Sequence, residues 1–227
     1  MPKRDIIVVG TSAGGVQTLT ELVKQLPAPF PAAVFVVCHL RADLRSALPE
    51  ILTKNGRLPA ERAANGAPIR QGRICVCPPD YHMVLDAGMI RLLHGPRQNG
   101  FRPAIDPLFR SAARHYGRRV VAAVLSGLLS DGVAGLLAVR HSGGLAVVQQ
   151  PTDAIVGDLP RNALAGAGAD FVVPVAELGP LLTDLVTKGG EGTGFARTWR
   201  HAMTKRLRLP TAIAIAPSSR NTWSITR

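Results

Sequence analysis

Three residues with the chemistry of an acyl-transfer site, Ser12, His39 and Asp131, each follow a separate apolar, strand-like run of this chain. A serine nucleophile, a histidine base and an aspartate that orients the histidine are the three residue types that such catalysis requires. In open α/β sheets the binding sites lie at the carboxyl ends of the strands. We therefore expect these three side chains to meet at one edge of a sheet.

The residues around Ser12 predict a strand, a tight turn and a helix in immediate succession. The apolar run Ile6–Val9 is followed by Gly10-Thr11-Ser12-Ala13-Gly14-Gly15, and a helical apolar pattern begins at Val16. Gly10-x-Ser12-x-Gly14 matches the nucleophile elbow, in which a sharp turn exposes a serine oxygen. It does not match the dinucleotide-binding motif, because Ser12 stands in place of the second glycine. The alternative is a glycine-rich turn with an incidental serine, which could bind an anion at the helix start.

His39 and Asp131 also have simpler interpretations. A histidine that ends a strand is often a hydrogen-bonded loop residue. Asp131 precedes the apolar helical pattern that begins at Val133, so its carboxylate could cap that helix. Cys38 is a poor alternative nucleophile, because neighbouring side chains in a strand point to opposite faces.

Alternating apolar runs and helical stretches predict an α/β fold. Continuous apolar strands separated by helices indicate a parallel sheet that is covered on both faces. The segment from Val84 to Leu92 instead predicts an antiparallel hairpin with Ala87-Gly88 in its turn. The predicted strands are Ile6–Val9, Ala33–Cys38, Arg73–Val76, Val120–Leu125, Leu145–Val148 and Phe171–Val173. The predicted helices are Val16–Gln25, Leu44–Thr53, Pro107–Tyr116, Val133–Arg140, Pro160–Ala165 and Ala176–Thr187.

Length, charge and cysteine content narrow the class of protein. The 227 residues suffice for one large domain, which we expect in residues 1–187, followed by a basic, poorly ordered extension in 188–227. The net charge is +12, and half of this excess lies after residue 183. Nucleic acid is not the expected partner, because the chain has few aromatic side chains to stack on bases. Three cysteines and the absence of a leader or a membrane-spanning run favour a cytoplasmic protein with reduced thiols.

Several motifs, in collinear order over about residues 4 to 183, resemble the catalytic domain of the chemotaxis protein-glutamate methylesterase family, CheB. They are Gly10–Gly15, Val36–Leu40, Cys77–His82, Arg102–Phe109, Leu125–Gly127 with Asp131–Gly132, and Gly157–Arg161. The resemblance implies a modified doubly wound, mainly parallel sheet with helices on both faces and one hairpin. It also implies that Ser12, His39 and Asp131 form a catalytic triad, without metal or cofactor.

The resemblance further implies a backbone oxyanion site and a protein substrate. The amide of Leu128, where the family usually has methionine, and that of Ala13 at the start of the first helix would hold the oxyanion. Leu129 replaces the usual glycine, which puts the loop geometry in question. A phospho-receiver domain usually precedes this catalytic domain; because the first strand starts at residue 6, we expect none here.

The expected reaction is hydrolysis of glutamate γ-methyl esters on a methylated chemoreceptor or a similar acidic protein, without membrane insertion. Deamidation of glutamine is chemically adjacent, because the same carbonyl is attacked. Arg41, Arg102 and Arg161 are candidates for contacts with carboxylates around the ester, although each could equally be a solvated surface charge. Two alternatives remain: a serine esterase of the same fold with another ester substrate, and a non-catalytic α/β module that binds an anion or a partner.

Overall fold

The computed structural model describes residues 3–39 and 47–188. Strands and helices alternate along most of this part of the chain. The strands are β1 (Ile6–Thr11), β2 (Ala33–Cys38), β3 (Ala60–Arg62), β4 (Ile74–Val76), β5 (His82–Asp86), β6 (Met89–Leu93), β7 (Val120–Val124), β8 (Leu145–Gln149) and β9 (Phe171–Val173). The helices are α1 (Gly15–Gln25), α2 (Leu48–Asn55), α3 (Ile105–Tyr116), α4 (Val133–His141), α5 (Asp158–Gly166) and α6 (Val175–Thr187), with a short 3₁₀ turn at Gly117–Arg119.

Seven strands form one parallel sheet in the order β3-β4-β2-β1-β7-β8-β9. From β1 the chain winds first toward β2 and β4, and later toward β7, β8 and β9 on the other side. The winding direction therefore reverses between β1 and β7, and such a switch point opens a crevice at the carboxyl ends of the strands. Ser12 follows β1 at this crevice.

Alternate residues of the central strand pack against two helical layers. Ile7 and Val9 of β1 belong to a buried cluster with residues of α1, α2 and α6. Ile6 and Val8 belong to a second cluster with α3, α4, α5 and the β5–β6 hairpin. Burial on both faces explains why the strands are continuous apolar runs. The predicted parallel sheet with helices on both faces is confirmed.

The hairpin is also confirmed. Strands β5 and β6 pair antiparallel, with Asp86 opposite Met89. Ala87 and Gly88 in the turn have φ angles of 45° and 86°, a left-handed conformation typical of two-residue hairpin turns.

Some predicted boundaries were wrong, and one strand was missed. Strand β3 has the sequence Ala-Glu-Arg, and as an edge strand with half-buried and exposed side chains it has no apolar run to reveal it. Strand β1 continues to Thr11, two residues beyond the predicted end. Helix α2 begins at Leu48 rather than at residue 44; residues 44–46 lie outside the described part of the chain. Within the described ranges, no helix has the length and hydropathy to cross a bilayer.

Candidate active site

The turn after β1 holds Ser12 at the sheet edge. The Gly15 amide donates to the Ser12 carbonyl at 2.9 Å, and Gly14 has φ 76° at the third position of this turn. A type II turn needs a residue with positive φ at that position, which favours glycine. A Cβ at Gly15 would lie 2.6 Å from the Thr11 hydroxyl, so a second small residue is required. The positive φ thus falls on Gly14 and not on Ser12.

Ser12, His39 and Asp131 are connected by hydrogen bonds, as their positions after β1, β2 and β7 predict. Ser12 Oγ lies 3.2 Å from His39 Nδ1, and His39 Nε2 lies 2.8 Å from Asp131 Oδ2. A carboxylate can only accept, so Nε2 carries the ring proton and Nδ1 is free to accept from the serine hydroxyl. The side chains of His39 and Asp131 are 6% and 0% exposed, so water hardly competes for these bonds.

Asp131 does not cap the helix that follows it. The N-cap of α4 is Gly132, without a side-chain hydrogen bond. Asp131 instead accepts hydrogen bonds from the first amides of α3, those of Ile105 at 2.6 Å and Asp106 at 3.3 Å. The predicted capping role was therefore assigned to the wrong helix, because the helix that needs the carboxylate is distant in sequence and adjacent in space.

The environment of Asp131 favours its ionised form. Burial alone raises the pKa of a carboxyl group, because the charge loses its hydration. Hydrogen bonds from His39, from the Ile105 amide and from Asn99 outweigh burial and hold the pKa of Asp131 below its ordinary value. An ionised Asp131 can orient the imidazole and stabilise its cationic form.

The loop after β7 packs its backbone against Ser12. The Ser12 amide donates to the Ser126 carbonyl at 3.0 Å, and a Cβ at Gly127 would lie 2.8 Å from Ser12 Cβ. No described group accepts a hydrogen bond from the amides of Ala13 or Leu128. Both amides thus lack a described acceptor, which is a requirement for donors to an oxyanion.

Leu129 stands where the family usually has glycine, and its backbone conformation shows how the loop accommodates the change. It has φ 65°, a left-handed conformation that glycine adopts without cost and leucine does not. The Asn162 side chain donates to its carbonyl at 2.7 Å, and the leucine side chain is 59% exposed. The loop thus keeps the backbone conformation typical of glycine although residue 129 is leucine. The hydrogen bond from Asn162 of α5 holds it in this conformation.

Two residues that the sequence analysis did not assign, Asn99 and Phe101, complete the site. Asn99 Nδ2 lies 2.8 Å from Asp131 Oδ1, and the Phe101 ring stacks on His39 with 3.7 Å between ring centroids. The dipeptide Asn99-Gly100 is a strong hairpin-turn signal that marks this segment. The signal predicts a turn, but not what the turn contacts.

The predicted arginine contacts have different surroundings. The Arg102 guanidinium binds Asp80 Oδ1 at 2.6 and 2.8 Å and the Gly95 carbonyl at 2.7 Å, so a substrate carboxylate would have to compete with these partners. Arg161 is exposed and pairs with Asp158 at 2.7 Å on α5. Arg41 lies outside the described residues.

Two other side chains with nucleophilic or metal-binding chemistry, Cys38 and His82, are buried in the fold. Burial raises the pKa of Cys38 to about 12, so its thiol is neutral at pH 7 and a poor nucleophile. His82 is buried and binds the Pro96 carbonyl and the Ala104 amide through its two ring nitrogens. In the described ranges, no cluster of three or more His, Cys, Asp or Glu could hold a metal ion.

Comparisons with known proteins identify the family to which this chain is similar. The family described as CheB methylesterase matches residues 7–182. A protein-glutamate methylesterase/protein-glutamine glutaminase of Anaeromyxobacter dehalogenans is 36% identical over 181 residues, which are 80% of this chain and 53% of that protein. A relative from Leptospira interrogans is 32% identical over 182 residues, 80% of this chain and 94% of that protein. The crystal structure of the Thermotoga maritima CheB methylesterase catalytic domain aligns with a TM-score of 0.78 at 28% identity, over 82% of this chain and all of that one.

Proposed function

This chain belongs to the CheB methylesterase family, and on that premise we propose that it hydrolyses glutamate γ-methyl esters on a chemoreceptor-like protein. The observation that carries the proposal is the hydrogen-bonded series Ser12, His39 and Asp131, which three separate strand ends bring together. A module that only binds an anion at the Gly10–Gly15 turn has no use for the other two residues. The geometry therefore favours catalysis over binding alone.

In the proposed mechanism, Ser12 Oγ attacks the ester carbonyl while His39 Nδ1 takes the hydroxyl proton. The imidazole then becomes a cation, which the Asp131 carboxylate stabilises from the Nε2 side. Asp131 does not need to take the proton itself. Its role is to keep Nε2 protonated, so that the free electron pair stays on Nδ1, facing Ser12.

Two backbone amides are proposed to hold the oxyanion. Those of Ala13 and Leu128 lie on the two loops that meet at Ser12, and a backbone donor works with any side chain at Leu128. His39 then returns its proton to the departing methanol, and water cleaves the acyl-enzyme by the same route. The products are methanol and a glutamate carboxylate, and no metal or cofactor takes part.

The substrate is proposed from the relatives. The chain spans about half the length of the first curated relatives it matches, which are named as protein-glutamate methylesterase/protein-glutamine glutaminase. That name also supports a second activity, deamidation of glutamine, in which ammonia leaves instead of methanol. The exposed Arg161 on α5 stays a candidate for contact with an acidic protein. The family match ends at residue 182, which supports our assignment of the catalytic domain to residues 1–187.

Methanol release from a methylated chemoreceptor tests the proposal. Wild type should release methanol, and Ser12→Ala, His39→Ala and Asp131→Asn should each lose most of this activity. Full activity in Ser12→Ala would refute the triad. If wild type hydrolyses a simple ester but releases no methanol from the receptor, the substrate is wrong and the fold carries an esterase of another specificity.

A further inference from the structure

The segment from Gln98 to Phe101 forms a two-residue hairpin turn beside the triad. Gln98 and Phe101 exchange backbone hydrogen bonds at 3.0 and 2.9 Å. Asn99 and Gly100 between them have φ angles of 52° and 83°. Positive φ at both central residues is the mark of a type I′ turn, which asparagine followed by glycine adopts readily.

The Asn99 side chain joins two buried carboxylates. Its Nδ2 donates to Asp131 Oδ1 at 2.8 Å and to Asp106 Oδ2 at 3.0 Å, so both amide hydrogens are used. Asp106 and Asp131 are 3% and 1% exposed. Two carboxylates in such surroundings repel each other unless donors lie between them.

The two carboxylates also tie the starts of two helices together. Asp131, which precedes α4, accepts from the first amides of α3. Asp106, in the first turn of α3, accepts from the Gly135 amide of α4 at 2.6 Å and pairs with Arg110 at 3.0 Å. Asn99 is the side chain that links these reciprocal caps, and it binds the Asp131 oxygen that does not bind His39.

The same turn packs against His39. The Phe101 ring stacks on His39 at 3.7 Å with 10° between the planes, which fixes the plane of the imidazole. Its hydrogen bonds with Ser12 and Asp131 lie in that plane. One turn therefore contacts both the general base and the carboxylate that orients it.

The turn is itself held in place. Arg102, directly after Phe101, binds Asp80 and the Gly95 carbonyl. His82 Nε2 lies 2.9 Å from the Pro96 carbonyl. These bonds anchor both ends of the segment on the β5 side of the molecule. The turn is thus bonded to the rest of the fold on both sides.

We propose that Asn99 is a positioning residue, which acts through Asp131 to hold the His39 imidazole in line with Ser12 while Phe101 fixes the plane of the ring. The role in turnover rests on the proposed function, whereas the effect on the His39–Asp131 hydrogen bond does not. Asn99 touches no reacting atom in this arrangement. Its removal should lower kcat and leave KM nearly unchanged, because the substrate still binds but the base is misplaced.

Asn99→Gly is the cleanest variant, since glycine keeps the positive φ of the turn and removes only the amide. Gln98→Gly is the matched control in the same turn, because Gln98 takes part in the turn through its backbone. With p-nitrophenyl acetate as substrate, we expect kcat to fall about 10- to 100-fold in Asn99→Gly, the range found for hydrogen-bond partners that orient the ligands of metal sites. Gln98→Gly should stay within about twofold of wild type.

A double-mutant cycle separates positioning from general loosening of the fold. If Asn99 acts through Asp131, Asn99→Gly should cause little further loss in an Asp131→Asn background. A loss of equal size in both backgrounds would overturn the proposal, as would an unchanged kcat in Asn99→Gly or an equal loss in Gln98→Gly.

Proton NMR provides a readout that needs no turnover. The His39 Nε2 proton, hydrogen-bonded to a buried carboxylate, should give a low-field signal that moves or vanishes in Asn99→Gly and persists in Gln98→Gly. A signal unchanged in Asn99→Gly would overturn the proposal even if wild type hydrolyses no ester. Wild type that cleaves p-nitrophenyl acetate but not a methylated receptor would refute the proposed substrate and leave this role intact.

Discussion

Substitution of Gly127 by alanine should displace Ser12 without replacing any residue of the proposed triad. A Cβ built at Gly127 lies 2.8 Å from Ser12 Cβ, 2.8 Å from Leu159 Cδ2 and 3.1 Å from the Ser12 nitrogen. Ordinary van der Waals contacts begin near 3.4 Å, so the atoms must separate by about half an ångström. The Leu159 methyl group can turn away, but the Ser12 backbone cannot, because its amide is bonded to Ser126.

Gly127 cannot move away from Ser12 either. Its amide donates to the Val156 carbonyl at 2.9 Å, and its carbonyl accepts from the Leu159 amide at 2.8 Å. The strain must therefore move Ser12 or break one of these bonds. Overpacking of this kind costs about 1–3 kcal/mol of stability, which lowers Tm by about 2–4 °C per kcal/mol in a domain of this size. A misplacement approaching 1 Å costs about 100-fold in rate.

The assay is kcat for p-nitrophenyl acetate together with a thermal melt. Gly95→Ala is the matched control, since a Cβ there meets nothing within 4 Å and the glycine has no positive φ. We expect Gly127→Ala to lose about 10- to 100-fold in kcat while Gly95→Ala keeps the wild-type value. A Gly127→Ala protein that melts lower but turns over at the wild-type rate would refute the claim that this loop sets the position of Ser12.

Three further predictions concern strain, charge and thiols. Leu129→Gly should raise the free energy of unfolding by up to about 1 kcal/mol in urea melts, because it removes left-handed strain. Leu137→Gly within α4 should instead lower it by at least about 1 kcal/mol, since it adds a glycine to a helix and removes a partly buried side chain. A destabilised Leu129→Gly would contradict the strain. Because the folded-state pKa of Asp131 is depressed, its contribution to stability is complete above the unfolded value of 3.8 and is lost as the pH falls through the folded pKa. The difference in unfolding free energy between wild type and Asp131→Asn should therefore be constant near pH 7 and shrink below about pH 4; a difference independent of pH would count against an ionised Asp131. Burial raises the pKa of the three thiols to about 11 or 12, so Ellman's reagent should label them slowly in native protein and at once in denaturant; fast native labelling would show that they are exposed. These thiols are Cys38, Cys75 and Cys77.

The local sequence pattern was sufficient to predict the central strands and the hairpin, whose formation depends on residues that are neighbours in the sequence. The continuous apolar runs predicted the central strands because both sheet faces are buried. The hairpin followed from Ala87-Gly88 between alternating runs. Strand β3 was not predicted, because an edge strand of three residues buries too few side chains to show an apolar pattern.

Sequence alone also placed Ser12, His39 and Asp131 at one edge of the sheet, because the side on which a parallel strand ends follows from its direction. Only the tertiary structure decided which groups surround them. Asp131 bonds to the start of α3, 26 residues earlier in the chain, and to Asn99, 32 residues earlier. No pattern in the sequence records such contacts, since they depend on how two helices and a turn pack. The physical reason is that strand and helix periodicity are local properties of the chain, whereas the satisfaction of a buried carboxylate depends on donors that packing brings within 3 Å.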